Sequence, residues 1–289
     1  WSDVTPVPQD DGPDPVCPIA YSSEYADAMS YFRAVSAKRE YSTRALELTG
    51  TIIDMNPGHY TVWLYRKDIV FALDLDFQQE LDFVESVANE TPKCYQLWHH
   101  RQVIIEKLGD ASQELAFIER VLNGDPKNFH AWSYRQWVIK TFNLWDGELA
   151  FVDQLLDSDI RNNSAWNQRY FALHYRPTPA DNETLQREVD YAIKKIRLAP
   201  HNESAWNYLA GWVNVADGSR YVTKCSSFWH FAEQFGASQN DCLLVWMILS
   251  QRWRLKHPFQ CLCWLLLWKA SKNMPSWATI SSDVRRRFG

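Results

Sequence analysis

No stretch of this chain stays apolar for long enough to cross a membrane. The longest apolar runs, CLLVWMIL at 242–249 and CLCWLLLW at 261–268, hold eight residues each, whereas a spanning helix needs about 20. Positive charge is not in excess either. Thirty Lys and Arg face 35 Asp and Glu, a net charge of −5, so no overall basic field draws nucleic acid or an anionic membrane. Cysteine is scarce: Cys17, Cys94, Cys225, Cys242, Cys261 and Cys263 are the only six in 289 residues. That excludes a disulfide-dense secreted scaffold and fits a reducing compartment. No basic n-region followed by an apolar h-region opens the chain, so a signal peptide is not expected. Zinc signatures are missing too, with no C-x-x-C pair and no H-E-x-x-H. His257, Cys261 and Cys263 come nearest to a ligand set and read as ordinary thiols beside a histidine. A soluble cytoplasmic protein is the expectation.

Residues 1–20 form an extended segment rich in Pro and Asp, which cannot hold a helix. From about residue 21 to 212 the apolar residues recur at three- and four-residue spacing, and a longer period overlies them. PKCYQLWHHRQ at 92–102 and PKNFHAWSYRQ at 126–136 are nearly one phrase written twice. The anchor tryptophans are Trp63, Trp98, Trp132, Trp166 and Trp206. Ahead of them stand Pro57, Pro92, Pro126, Ile160 and Pro200 at a fixed offset; behind them stand Arg66, Arg101, Arg135 and Arg169, with Leu209 in the last copy. The template is P-x-x-(Y/F)-x-x-W-x-x-R, with Tyr60, Tyr95 and Phe129 at the aromatic position and Asn163 and Glu203 in the later copies.

A period of about 34 residues means stacked helical hairpins. Proline ends one helix because it clashes with the preceding turn and has no N–H to donate. The Trp helix starts after it, and Tyr95 and Trp98, three apart, are expected on one face. An amphipathic helix follows, with Asp110 and Gln113 as its capping pair. The fold class is therefore all-α, an α-α superhelix: a crescent of antiparallel hairpins whose stacking buries one apolar layer. The repeated arginines read as inter-repeat ion pairs or carbonyl contacts rather than a phosphate ladder.

The anchor residues distinguish this template from the tetratricopeptide repeat, which shows W-x-x-L-G-x-x-Y. PVPQDDGPDPV, YFRAV, KCYQLWHHRQ, KNFHAWSYRQWVI, RNNSAWNQRYF and PHNESAWNYL together resemble the prenyltransferase α-subunit repeat family. Within it they resemble the α subunits shared by farnesyltransferase and geranylgeranyltransferase type I. The resemblance covers roughly residues 1–212. It implies a transferase active only as a heterodimer with a β subunit. That partner would hold the catalytic zinc and most of the isoprenoid pocket, with magnesium accompanying the diphosphate. The substrates implied are farnesyl or geranylgeranyl diphosphate and proteins ending in Cys-a-a-X, such as small GTPases. A non-catalytic peptide-binding scaffold and the α subunit of the Rab-type enzyme are the alternatives.

The family's K-x-Y-Q string falls on Lys93, Tyr95 and Gln96. The resemblance implies that Lys93 is catalytic and reaches the diphosphate, and that Tyr95 supports it. Gln96 would bind the C-terminal carboxylate of the peptide. The leaving diphosphate gathers negative charge in the transition state, so a fixed cation there lowers the barrier. The next string implies that Asn128 and His130 line the diphosphate end. Phe129 lines it as well, and stands where the family has tyrosine, so a hydroxyl is lost. Cys94 stands where the family has asparagine, so that amide is lost.

Residues 213–289 hold four of the six cysteines and six of the fifteen tryptophans, and no repeat unit survives there. They read as a divergent C-terminal region of uncertain fold. A divergent helical end, a docking surface peculiar to this chain and a shifted reading frame each account for that composition.

Overall fold

A computed structural model describes residues 1–178 and 180–216; most of the C-terminal region marked off above, with His257, Cys261 and Cys263, lies outside them. The chain divides into two compact units, Trp1–Pro179 and the part from Ala180 onward. Every regular element among the described residues is helical.

In the first unit the helices are α1 (Ser23–Ala37), α2 (Thr43–Met55), α3 (Tyr60–Ala72), α4 (Phe77–Glu90), α5 (Tyr95–Leu108), α6 (Glu114–Gly124), α7 (Phe129–Phe142), α8 (Glu148–Ser158) and α9 (Asn163–His174). The packed hairpins are α2–α3, α4–α5, α6–α7 and α8–α9, with α1 laid against α2. The Trp helices α3, α5, α7 and α9 lie beside one another in turn. This is the stacked-hairpin architecture of an α-α superhelix.

The hairpin phase differs from the order read in the sequence: the amphipathic helix comes first and the Trp helix second. The tryptophans fix the turn that joins the two. Each indole N–H donates back to the carbonyl six residues earlier: Trp63 to Pro57, Trp98 to Pro92, Trp132 to Pro126 and Trp166 to Ile160, at 2.7–2.9 Å. The proline turn is thus clamped onto the helix that follows it. The indoles are otherwise buried, 1–6 % exposed, and truncating such a side chain costs about 3–5 kcal/mol.

The arginines tie the hairpins to one another. Arg101 on α5 makes two bonds to Glu114 on α6, at 2.8 and 2.7 Å, and a third to the Leu81 carbonyl on α4 at 3.2 Å. Its guanidinium lies 3.7 Å from the centre of the Phe117 ring. Arg66 does the same with Glu80, Leu46 O and Phe83, and Arg135 with Glu148, Leu115 O and Phe151. Arg169 meets Asp153 at 2.7 Å. Each buried glutamate also takes a bond from the next Trp helix: from His100 to Glu80, Tyr134 to Glu114 and Gln168 to Glu148, all at 2.7 Å. One carboxylate therefore rivets three helices. Burial pushes the Glu80 carboxyl up, but His100 and Arg66 outweigh it and hold it below its ordinary value. Burial holds the His100 imidazole low as well, so at neutral pH a neutral histidine donates to an ionised glutamate. The ion-pair and carbonyl reading of the arginines is the one the structure bears out.

Two local expectations fail. Asp110 and Gln113 form no capping pair: both Asp110 oxygens are taken by the Ser112 N–H and hydroxyl, and α6 starts with Gln113 capping nothing through its side chain. The carboxylate of Glu114 is drawn inward by Arg101, and the chain turns through 111–113 to deliver it. Nor do Tyr95 and Trp98 share a partner. Trp98 packs inside on Phe117 and Tyr134, while Tyr95 is 67 % exposed.

The extended start is anchored rather than loose. Asp3 makes a paired contact with Arg44, whose guanidinium also covers the Trp1 ring, Val4 is buried, and the Val7 N–H bonds to the Ser30 carbonyl. In the second unit, α10 (Asn182–Leu198) and α11 (Glu203–Ala216) form one more hairpin of the same kind. There Trp206 donates to the Pro200 carbonyl at 2.8 Å, and the Tyr208 hydroxyl donates to Glu188.

Candidate active site

The turns entering α5 and α7 carry nearly the same sequence, P-K-C-Y-Q and P-K-N-F-H. Because α5 and α7 lie side by side, these turns and the two helix N-termini adjoin. Orphan backbone N–H groups make such ends favourable for an anion.

Lys93 stands in the turn before α5 with its side chain 72 % exposed, and its ammonium meets Asp125 at 3.0 Å. The Tyr95 ring meets His130 edge-on, with ring centres 4.1 Å apart and planes at 85°. Phe129 flanks the same imidazole at 5.7 Å and is 67 % exposed. Burial, then the nearby Lys93 charge, holds the His130 pKa below its usual value, so the ring is neutral at pH 7. Lys93, Tyr95, Phe129 and His130 thus form one open group: a cation, a phenol and an imidazole with free polar edges. Such a set can bind a phosphate-bearing ligand by charge and hydrogen bonds.

Asn128 is placed differently from its neighbours. It is 1 % exposed, and its side-chain oxygen accepts from the His130 and Ala131 N–H groups while its amide donates to the Pro92 carbonyl. Asn162 makes the same three bonds one repeat later. Asn128 therefore builds the turn that presents His130, and lies beneath the open group rather than in it. Gln96 is half-buried on the first turn of α5, its carbonyl oxygen 3.2 Å from the Cys94 sulfur.

Cys94 occupies the position of Asn128 and Asn162. Its thiol reaches the Pro57 carbonyl at 3.1 Å, keeping the bond between neighbouring repeats, but α5 has no side-chain cap. Sequence reasoning missed Asp125 and the buried glutamates. Both had a signal: Asp125 opens the string D-P-K-N, and Q-E-L-D-F, Q-E-L-A-F and G-E-L-A-F recur in step with the arginines.

Among the described residues no group of three or more His, Cys, Asp or Glu could hold a metal ion. No described helix is long and apolar enough to cross a membrane.

The family model described as "Protein prenyltransferase alpha subunit repeat" matches residues 42–73, 77–108, 111–142, 145–176 and 185–214. Each match spans one hairpin in the phase in which the helices pack. A Schizosaccharomyces pombe protein named protein farnesyltransferase/geranylgeranyltransferase type-1 subunit alpha is 56 % identical over 220 residues, 76 % of this chain and 74 % of that protein. Its Dictyostelium discoideum namesake is 46 % identical, over 73 % of this chain and 68 % of that protein. Among solved structures, Candida albicans protein geranylgeranyltransferase-I complexed with GGPP includes a chain that matches with a TM-score of 0.74 at 37 % identity, covering 81 % of this chain and 80 % of that one. The chain belongs to the protein prenyltransferase α-subunit family, among the α subunits of the farnesyltransferase/geranylgeranyltransferase type-1 enzymes.

Proposed function

We propose that this chain is the α half of a cytoplasmic CaaX prenyltransferase. It works with a β subunit to move a farnesyl or geranylgeranyl group from its diphosphate to a cysteine near the C-terminus of protein substrates. The observation that carries this reading is the grouping of Lys93, Tyr95 and His130 at the adjoining N-termini of α5 and α7. In the transfer, the substrate sulfur forms a bond to the first isoprenoid carbon as the carbon–oxygen bond to the diphosphate breaks. The electron pair leaves with the diphosphate, and the thiol proton passes to solvent.

The residues of this chain act on the leaving group. The Lys93 ammonium sits against the charge that develops on the diphosphate, where an aimed cation is worth most. The Tyr95 hydroxyl donates to the same group. His130, neutral because burial and Lys93 depress its pKa, donates a hydrogen bond without a second full charge. Asn128 holds the His130 turn from below, and Phe129 walls its outer side. Gln96 is the group assigned to the peptide carboxylate. The zinc that the family resemblance implies is assigned to the β subunit. Magnesium would travel with the diphosphate.

The test is co-expression with a farnesyltransferase β subunit, followed by single-turnover transfer to a Cys-a-a-X peptide. A heterodimer should form, and Lys93→Ala should slow transfer at least about tenfold while leaving the dimer intact. A heterodimer that transfers equally fast with Lys93→Ala would sink the assignment.

A further inference from the structure

The Lys93 ammonium is not loose. Its partner, Asp125, lies in the turn that leads into α7, and the Asp125 side chain also accepts from the Lys127 N–H at 3.1 Å. Asp125 is therefore fixed to the backbone on one side and to Lys93 on the other. An ammonium has three N–H donors. One is spent on Asp125, and the others remain for a ligand at the His130 edge. A lysine with a long flexible stem and 72 % exposure would otherwise sample many rotamers, and holding a reactive group in place lowers the barrier. Beside Lys93, the Asp125 carboxyl is held below the usual carboxylate range, so the tether is charged at neutral pH.

We propose that Asp125 is a positioning residue for transfer: it holds the Lys93 ammonium over the diphosphate end of the site by a charged bond from the neighbouring repeat. This inference rests on the role given to Lys93 above. The molecule supplies its own control. Lys127 and Asp159 form the corresponding pair one repeat on, at 3.7 Å, and Asp159 accepts from the Arg161 N–H as Asp125 does from Lys127. There the positions of Tyr95 and His130 are taken by Phe129 and Ser164, so the same pair has neither a phenol nor an imidazole at the matching positions.

The experiment uses the full heterodimer and Asp125→Asn, which can still accept from the Lys127 N–H and so preserves the turn. Single-turnover transfer should slow about three- to tenfold, with no weakening of prenyl diphosphate binding. On a Lys93→Ala background, Asp125→Asn should cause no further loss. Asp125→Glu should recover part of the rate, and Asp159→Asn should change it less than twofold. The proposal is overturned if Asp125→Asn transfers as fast as the parent, or if its full loss persists without Lys93. It is equally overturned if Asp159→Asn causes the same loss, which would make the effect a general one of the repeat. If Lys93→Ala alone leaves transfer unchanged, it is the role of Lys93 that fails.

Discussion

At the scale of single residues, one repeat position shows how chemistry and architecture divide. Asn128 and Asn162 each cap a Trp helix and bond back to the previous turn. Cys94, at the same position, keeps the bond to Pro57 and gives up the cap. Cys94→Asn should restore the cap, worth about 1 kcal/mol, and so raise the melting temperature of the heterodimer by about 1–2 °C; a thermal melt with no rise would show that α5 does not need it. Lys93, Tyr95 and His130 were nominated in the sequence because they stand in strings that resemble a family pattern, and the structure groups them. The partner of Lys93 was not. Asp125 lies 32 positions away, and only the stacking of one repeat on the next brings the two to 3.0 Å.

At the scale of helices, the buried carboxylates bind the hairpins into one body. Arg101, Glu114 and Tyr134 come from α5, α6 and α7 and are 2 %, 1 % and 4 % exposed. Removing one partner of such a group leaves an uncompensated buried charge. Glu114→Gln should therefore destabilise the chain by about 3–5 kcal/mol. Arg120→Ala, which breaks only the exposed pair with Glu85, should cost less than about 1 kcal/mol. Chemical denaturation of both variants checks the contrast, and similar midpoints would contradict it. The regular arginines were readable as a structural feature because a phosphate site has no need to recur in every unit. Which helix pairs with which was not, since a two-helix period fits either phase. The packing of α4 on α5 and of α6 on α7 decides it.

At the scale of the molecule, one observation concerns what the first unit leaves uncovered. Tyr60, Tyr95 and Phe129 open three neighbouring Trp helices and are 73 %, 67 % and 67 % exposed, and Leu64 beside them is 54 % exposed. A row of large apolar side chains open to water favours association. The chain made alone should therefore be poorly soluble, and co-expression with a β subunit should bring it into the soluble fraction; centrifugation of the two lysates makes the comparison, and a fully soluble lone chain would contradict it. The sequence by itself determined the helical class, the repeat period and the buried tryptophans, and its strings nominated Lys93, Tyr95 and His130 for the proposed site. Those depend on local rules: apolar spacing along a helix, proline at a turn, and residue strings that travel together. Only the tertiary structure decided the hairpin phase, the burial of Asn128 beneath its site, and the tether between Lys93 and Asp125. Each of these is a contact between residues of different helices or turns, and the free energy that selects it exists only once the repeats are stacked.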